Sequence, residues 1–147
     1  GPNIMKGYWN RPEATTAAID PQGWFHSGDI GYFDEDGFLF ICDRLKDMVI
    51  SGGENVYPAE VESALYKHAS IAEVAVIGLP DDKWGEAVTA IVSLHDGHQL
   101  TLEELREFAR PLLARYKLPL RLHVVEALPR NPAGKVLKFV LKDELLK

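Results

Sequence analysis

The residues with the most chemical potential lie in the run Asp43-Arg44-Leu45-Lys46-Asp47-Met48-Val49-Ile50-Ser51-Gly52-Gly53-Glu54-Asn55-Val56-Tyr57-Pro58-Ala59-Glu60-Val61-Glu62. Arg44 offers a planar fork suited to phosphate or sugar oxygens, or it is a solvated turn cation. Lys46, two residues on, could be a polar pivot that absorbs backbone rotation between two domains. Gly52-Gly53, followed by Glu54, would let a thin ligand approach the backbone, or they make a tight strand-to-helix turn. Upstream, Asp29 in Trp24-Phe25-His26-Ser27-Gly28-Asp29 could accept from the vicinal hydroxyls of a ribose, or cap local N–H groups.

Three further positions stand out. Trp84, in Pro80-Asp81-Asp82-Lys83-Trp84-Gly85, could stack on a flat ring or pack a sheet edge. Tyr116 with Lys117 is a second aromatic–cation pair open to the same two readings. Lys135 follows Asn131-Pro132-Ala133-Gly134 and is expected at the start of a helix, where the backbone dipole disfavours a cation. A lysine held there suits an anion such as a phosphate, or it is an ordinary surface lysine.

The elements that must position these residues follow from pattern. A short helix is expected over Arg11–Ile19, capped by Asn10 with Pro12 in its first turn. Ile30–Phe33 and Phe38–Cys42 form a hairpin about Asp34-Glu35-Asp36-Gly37. Then come a strand over Asp47–Ile50, a helix over Pro58–His68 with Val61, Ala64 and Leu65 inward, and strands over Glu73–Leu79 and Gly85–Leu94. Thr101 with Glu104 makes a capping box opening an amphipathic helix over Thr101–Ala114. A strand over Arg121–Glu126 and a helix from Lys135 to about Leu146 complete the chain. From Asp47 onward the order β-α-β-β-α-β-α predicts an α+β unit with helices packed on a small mixed sheet.

Composition narrows the classes. The 147 residues are 46% hydrophobic, enough for a core. Net charge is −6, from 16 Lys+Arg against 22 Asp+Glu, which argues against nucleic acid as a partner. Cys42 is the single cysteine, so no internal disulfide exists and a reducing cytoplasm is expected. No apolar stretch approaches the roughly 20 residues that span a bilayer. His26, His68, His95, His98 and His123 lack metal-ligand spacing, so no metal site is expected. Ser27 and Ser51 have no base partner for a hydrolase triad. The start at Gly1-Pro2 without Met reads as a cut point.

Taken together, the segments Gly7-Tyr8-Trp9-Asn10-Arg11-Pro12-Glu13, Gly23–Asp29, Asp43–Glu62, Pro80–Glu86 and Leu128–Lys135 resemble the C-terminal portion of the adenylate-forming (ANL) superfamily, most closely its acyl-CoA synthetases. The resemblance implies a ligase that joins a carboxylic acid, of the fatty or a related class, to CoA through acyl-AMP, using ATP with Mg2+ and releasing AMP and pyrophosphate. Residues 1–45 would be the tail of a large nucleotide-binding N-terminal domain, absent here together with its main nucleotide and metal sites. Residues 46–147 would be the mobile C-terminal domain, in an enzyme of the cytoplasm or the membrane periphery. Asp29 and Arg44 would serve the nucleotide, Lys46 the hinge and Lys135 catalysis. Gly52, Gly53, Glu54, Trp84 and Tyr116 would serve CoA passage and binding. The alternatives are an adenylation domain of peptide synthesis, a luciferase-like enzyme, or a non-catalytic module binding CoA or a partner. The isolated fragment is expected to be inactive. The chain departs from many relatives in having Phe25-His26-Ser27 where they carry Tyr-Arg-Thr, and Leu118 where some CoA ligases place Arg.

Overall fold

The computed structural model describes all residues, Gly1–Lys147. The chain divides into two compact units, Gly1–Leu45 and Lys46–Lys147.

The first unit holds helix α1 (Pro12–Ala18) and an antiparallel pair, β1 (Asp29–Phe33) and β2 (Leu39–Arg44). The expected cap is not formed. Asn10 lies at φ 52°, the N-cap position falls on Arg11, and no side chain caps the helix. The Thr15 hydroxyl does related work, accepting from the Tyr8 N–H at 2.9 Å and donating to the Arg11 carbonyl. None of residues 1–45 is buried. Tyr32 and Phe40 stack on the hairpin with ring centroids 5.3 Å apart.

The division of the chain falls within a 3-10 turn, Leu45–Asp47. The second unit then runs β3 (Val49–Ser51), β4 (Glu54–Val56), α2 (Pro58–Leu65), β5 (Ile71–Asp81), β6 (Gly85–Leu94), α3 (Leu102–Ala109), β7 (Arg121–Val124) and α4 (Lys138–Leu145). The five strands form one mixed sheet of order β4-β3-β6-β5, with β7 parallel to β6. β4 is an addition to the expected elements. The Ser51–Asn55 segment is a hairpin, not a strand-to-helix turn, with Ser51 opposite Glu54.

Side chains alternate across a strand, and β5 uses both faces. Val76 faces one way with Val88, Ala90 and Val92, under α2 and α3 through Val61, Leu65 and Leu105. Ala75, Ile77 and Leu79 face the other way with Ile91, under α4 through Leu141. The sheet is thereby covered on both sides, which is why β5 and β6 read as almost unbroken apolar runs. Burial of each such Val, Leu or Ile side chain stabilises the unit by about 1.5–3 kcal/mol. The capping box at α3 forms as expected: the Thr101 hydroxyl accepts from Glu104 N–H, and Glu104 Oε2 accepts from Thr101 N–H at 2.8 Å.

Candidate functional site

In the first unit, hairpin register puts Asp29 directly opposite Arg44. Their side chains join, Arg44 Nε to Asp29 Oδ1, at 2.8 Å. Two residues singled out separately in the sequence are therefore one ion pair. The Ser27 hydroxyl accepts from the Asp29 N–H at 3.2 Å, and the Gly28 carbonyl accepts from Leu45 N–H. The pair is partly exposed, leaving the second carboxylate oxygen and the guanidinium's outer edge for a ligand.

In the second unit the candidates form two separate groups. The first surrounds the β3–β4 hairpin. Gly52 and Gly53 have φ of 62° and 85°, the two positive values that a type I′ hairpin turn demands and that glycine adopts without steric cost. The Gly52 N–H donates to the Trp84 carbonyl at 2.8 Å. A Cβ on Gly52 would sit 2.9 Å from Trp84 Cε3, whereas one on Gly53 would meet nothing within 4 Å. Glu54 is exposed at the start of β4.

Trp84 is held by a residue not singled out from sequence. Asp81 Oδ1 accepts from the N–H groups of Lys83 and Trp84, and Oδ2 takes the Arg121 guanidinium at 2.8 Å. The Trp84 N–H above all keeps the Asp81 carboxyl below its usual range. Trp84 is 40% exposed, with the Lys83 ammonium 4.9 Å from its ring centroid. Ser51, Trp84 and Tyr116 line one cavity of about 340 Å³, together with Arg106 and Arg115. Neither arginine carries a sequence signal beyond its charge. Tyr116 is supported by its neighbour: Lys117 pairs with Glu60 at 2.7 Å, a bond that raises the lysine's pKa.

Lys135 stands in the second group, and here the structure corrects the expectation. α4 begins at Lys138, so Lys135 is not at a helix start and the dipole argument does not apply to it. It ends a turn built around Asn131. The Asn131 Oδ1 accepts from Ala133 N–H at 3.0 Å and from Lys135 N–H at 2.9 Å, and the Lys135 carbonyl accepts from Asn131 N–H. Asn favours such turns because its side chain can replace a backbone acceptor. Arg130 anchors the turn from outside, bonding the Gly134 carbonyl and Glu73 near the start of β5. Lys135 itself is exposed.

The two groups sit at opposite ends of the β5–β6 hairpin. Glu73 is paired across with Ser93, while Trp84 lies in the turn after Asp81. The steps from Glu73 to Asp81 span roughly 27 Å at a strand rise of about 3.4 Å. No three His, Cys, Asp or Glu side chains gather in a way that could hold a metal ion.

Residues 60–135 match the model of the AMP-binding enzyme C-terminal domain, and the chain belongs to that family. It is 55% identical over 141 residues to a long-chain-fatty-acid–CoA ligase of Mycobacterium tuberculosis, covering 96% of this chain and 28% of that protein. It is 49% identical over 143 residues to a 2-succinylbenzoate–CoA ligase of a Geobacillus species, covering 97% of this chain and 29% of that protein. Among solved structures, o-succinylbenzoate CoA synthetase from Bacillus subtilis, in complex with its acyl-adenylate intermediate, superposes with a TM-score of 0.88 at 46% identity, covering 97% of this chain and 29% of that one. The chain thus spans less than a third of the length of these relatives. No helix is long and apolar enough to cross a membrane.

Proposed function

We propose that this chain is the C-terminal part of an ATP-dependent acid–CoA ligase, and that residues 46–147 move as one body between two half-reactions. The observation that carries this reading is the placement of two chemically distinct loops at opposite ends of one rigid hairpin. A single active site cannot meet both at once.

In the first half-reaction a carboxylate oxygen attacks the α-phosphorus of ATP. The bond to pyrophosphate breaks and acyl-AMP forms. The exposed Lys135 ammonium, free to reach outward, would neutralise charge developing on the phosphoryl oxygens. Asp29 would accept from the ribose hydroxyls while Arg44 holds its carboxylate in place. Magnesium would enter with ATP, and none of these residues is assigned to it.

In the second half-reaction the CoA sulfur bonds to the acyl carbon, the thiol gives up its proton and AMP leaves. Gly53, whose missing side chain leaves open space, would border the path of the pantetheine arm beside Gly52 and Glu54. Trp84 and Tyr116 would offer flat surfaces to the nucleotide end. The turn at Lys46 would take up the rotation. Relatives named for acids as different as long-chain fatty acids and 2-succinylbenzoate support a carboxylic acid as substrate class.

The test is acid-dependent ATP–pyrophosphate exchange and thioester formation, measured on the full-length protein and on this chain alone. Both reactions are expected from the former and neither from the latter. Exchange by the 147 residues alone would overturn the reading, as would a full-length protein that forms acyl-AMP but loads only a carrier protein.

A further inference from the structure

The short strand β3 is joined to β6 by backbone pairing at a single position, Ser51 opposite Gly85. Within the β3–β4 hairpin Ser51 faces Glu54 across the Gly52-Gly53 turn, so the backbone groups of Ile50, one residue back, point away from β4. The Gly52 N–H points the same way and finds the Trp84 carbonyl. The Ile50 N–H lies beyond the end of the β3–β6 ladder. A side chain takes it instead: Glu86 Oε2, from the start of β6, accepts from Ile50 N–H at 2.9 Å.

The position of this bond gives it meaning. Between Ile50 and the turn Leu45–Asp47 stand only Met48 and Val49. Val49 is buried in the core and anchors the strand by its side chain. Ahead of it, Lys46, Asp47 and Met48 border a cavity of about 250 Å³ rather than packed side chains, and Glu86 lines the same cavity. One buried side chain fixes a strand's depth but leaves its angle to the sheet open. The Glu86 bond supplies the second point that sets the angle. The other reading of Glu86 is a partner for Lys142, whose ammonium is 3.5 Å from Oε1. That pair is long and partly exposed, so it contributes little by itself and does not account for the bond to Ile50.

We propose that Glu86 is a positioning residue for the domain movement. By holding the Ile50 N–H it confines the rotation to the turn at 45–47 and keeps the strand beyond it part of the moving body. This rests on the ligase reading, in which each half-reaction needs one orientation of that body. A strand released at Ile50 would spread the body over many orientations, and both half-reactions would slow alike.

The experiment compares Glu86→Ala, Glu86→Gln and Lys142→Met in the full-length protein. Gln keeps an acceptor for the Ile50 N–H, and Met removes only the ammonium. In Glu86→Ala, acid-dependent pyrophosphate exchange and CoA attack on preformed acyl-AMP should each lose about fivefold or more in kcat. KM for ATP and for CoA should stay within about twofold of wild type. Glu86→Gln and Lys142→Met should keep at least about half of the wild-type rates, because the ion pair contributes little. Hydrogen exchange should quicken at residues 48–50 in Glu86→Ala and stay unchanged in β5 and the rest of β6. Wild-type rates in Glu86→Ala, loss in one half-reaction alone, or equal loss in the Ala and Gln variants would overturn the proposal. Exchange that quickens across the whole second unit would also overturn it, making Glu86 a general stabiliser. A wild-type protein that performs neither half-reaction would instead remove the ligase reading, and the proposal with it, whatever the exchange at 48–50.

Discussion

The β3–β4 hairpin and the loop from Pro129 to Val136 are both short polar segments carrying glycine, yet they are held differently. The hairpin is a backbone structure. Val49, Ser51 and Val56 are buried at its base, and ladder hydrogen bonds set its register. The Pro129–Val136 loop adds side-chain bonds from Asn131 and Arg130 to a short backbone bridge between Arg130 and Val136, and its residues 132–135 are exposed. If the hairpin is the proposed rim for a passing thiol, it would benefit from fixed backbone. If Lys135 meets a changing phosphate as proposed, it would benefit from reach. On the proposed reading, the contrast teaches that the two half-reactions would draw on different kinds of order in one small unit.

The contrast can be broken most decisively at Lys135. In the full-length protein, Lys135→Ala should cut acyl-AMP formation about a hundredfold or more, the scale of removing one transition-state donor. Attack of CoA on preformed acyl-AMP should stay within a few fold of wild type. Equal loss in both steps would mean the loops are not divided between them. Next in size, Gly53→Leu should slow thioester formation about tenfold while pyrophosphate exchange persists. Its positive φ adds strain of about 1–3 kcal/mol, so a thermal melt must accompany the assay. An unimpaired thioester step would remove the passage role.

Smaller effects sharpen the comparison. Glu73→Gln removes the outer anchor of the Lys135 loop, an ion pair exposed enough to contribute only about 0.5–1 kcal/mol. Hydrogen exchange should speed up at residues 131–136 and stay unchanged at 49–56. Faster exchange in both would contradict their separate anchoring. Acid should do the same. Glu73 is held below its ordinary 4.5, chiefly by the Arg130 hydrogen bond, so its contribution is full above that value and fades as pH falls through the lowered one. Loop protection should therefore decline below about pH 4.5, and the decline should vanish in Glu73→Gln. The smallest change expected is Gly52→Ala, which crowds Trp84 and should shift its fluorescence, whereas Gly53→Ala should not.

Much of the fold is legible in the sequence because local pattern and tertiary burial agree. β6 matches the expected Gly85–Leu94, Val61, Ala64 and Leu65 face inward, and the Thr101–Glu104 box closes. β4 is not legible, since Glu54-Asn55-Val56 has one apolar residue and becomes a strand only by pairing with β3. α4 starts at Lys138 rather than Lys135. Asn131 bonds the backbone that would have formed the first turn, and Val136 bridges to Arg130. At the candidate site, residue types can be read but not partners. Asp29 and Arg44 meet through hairpin register, and Arg106 meets Arg115 through a cavity, neither of which spacing reveals.

The β5–β6 hairpin that separates the two loops contains one more constraint. Gly78 faces the Glu86 carboxylate, and a Cβ there would lie 2.8 Å from Glu86 Cδ. That carboxylate accepts from the Ile50 N–H at 2.9 Å and sits 3.5 Å from the Lys142 ammonium. Ile50 follows closely on the turn Leu45–Asp47. A side chain at position 78 would therefore require the Glu86 carboxylate on the neighbouring strand to move. Any larger residue there would evict a carboxylate that ties β3 to α4. A small change in mid-strand would thus be felt at the segment leading out of the turn.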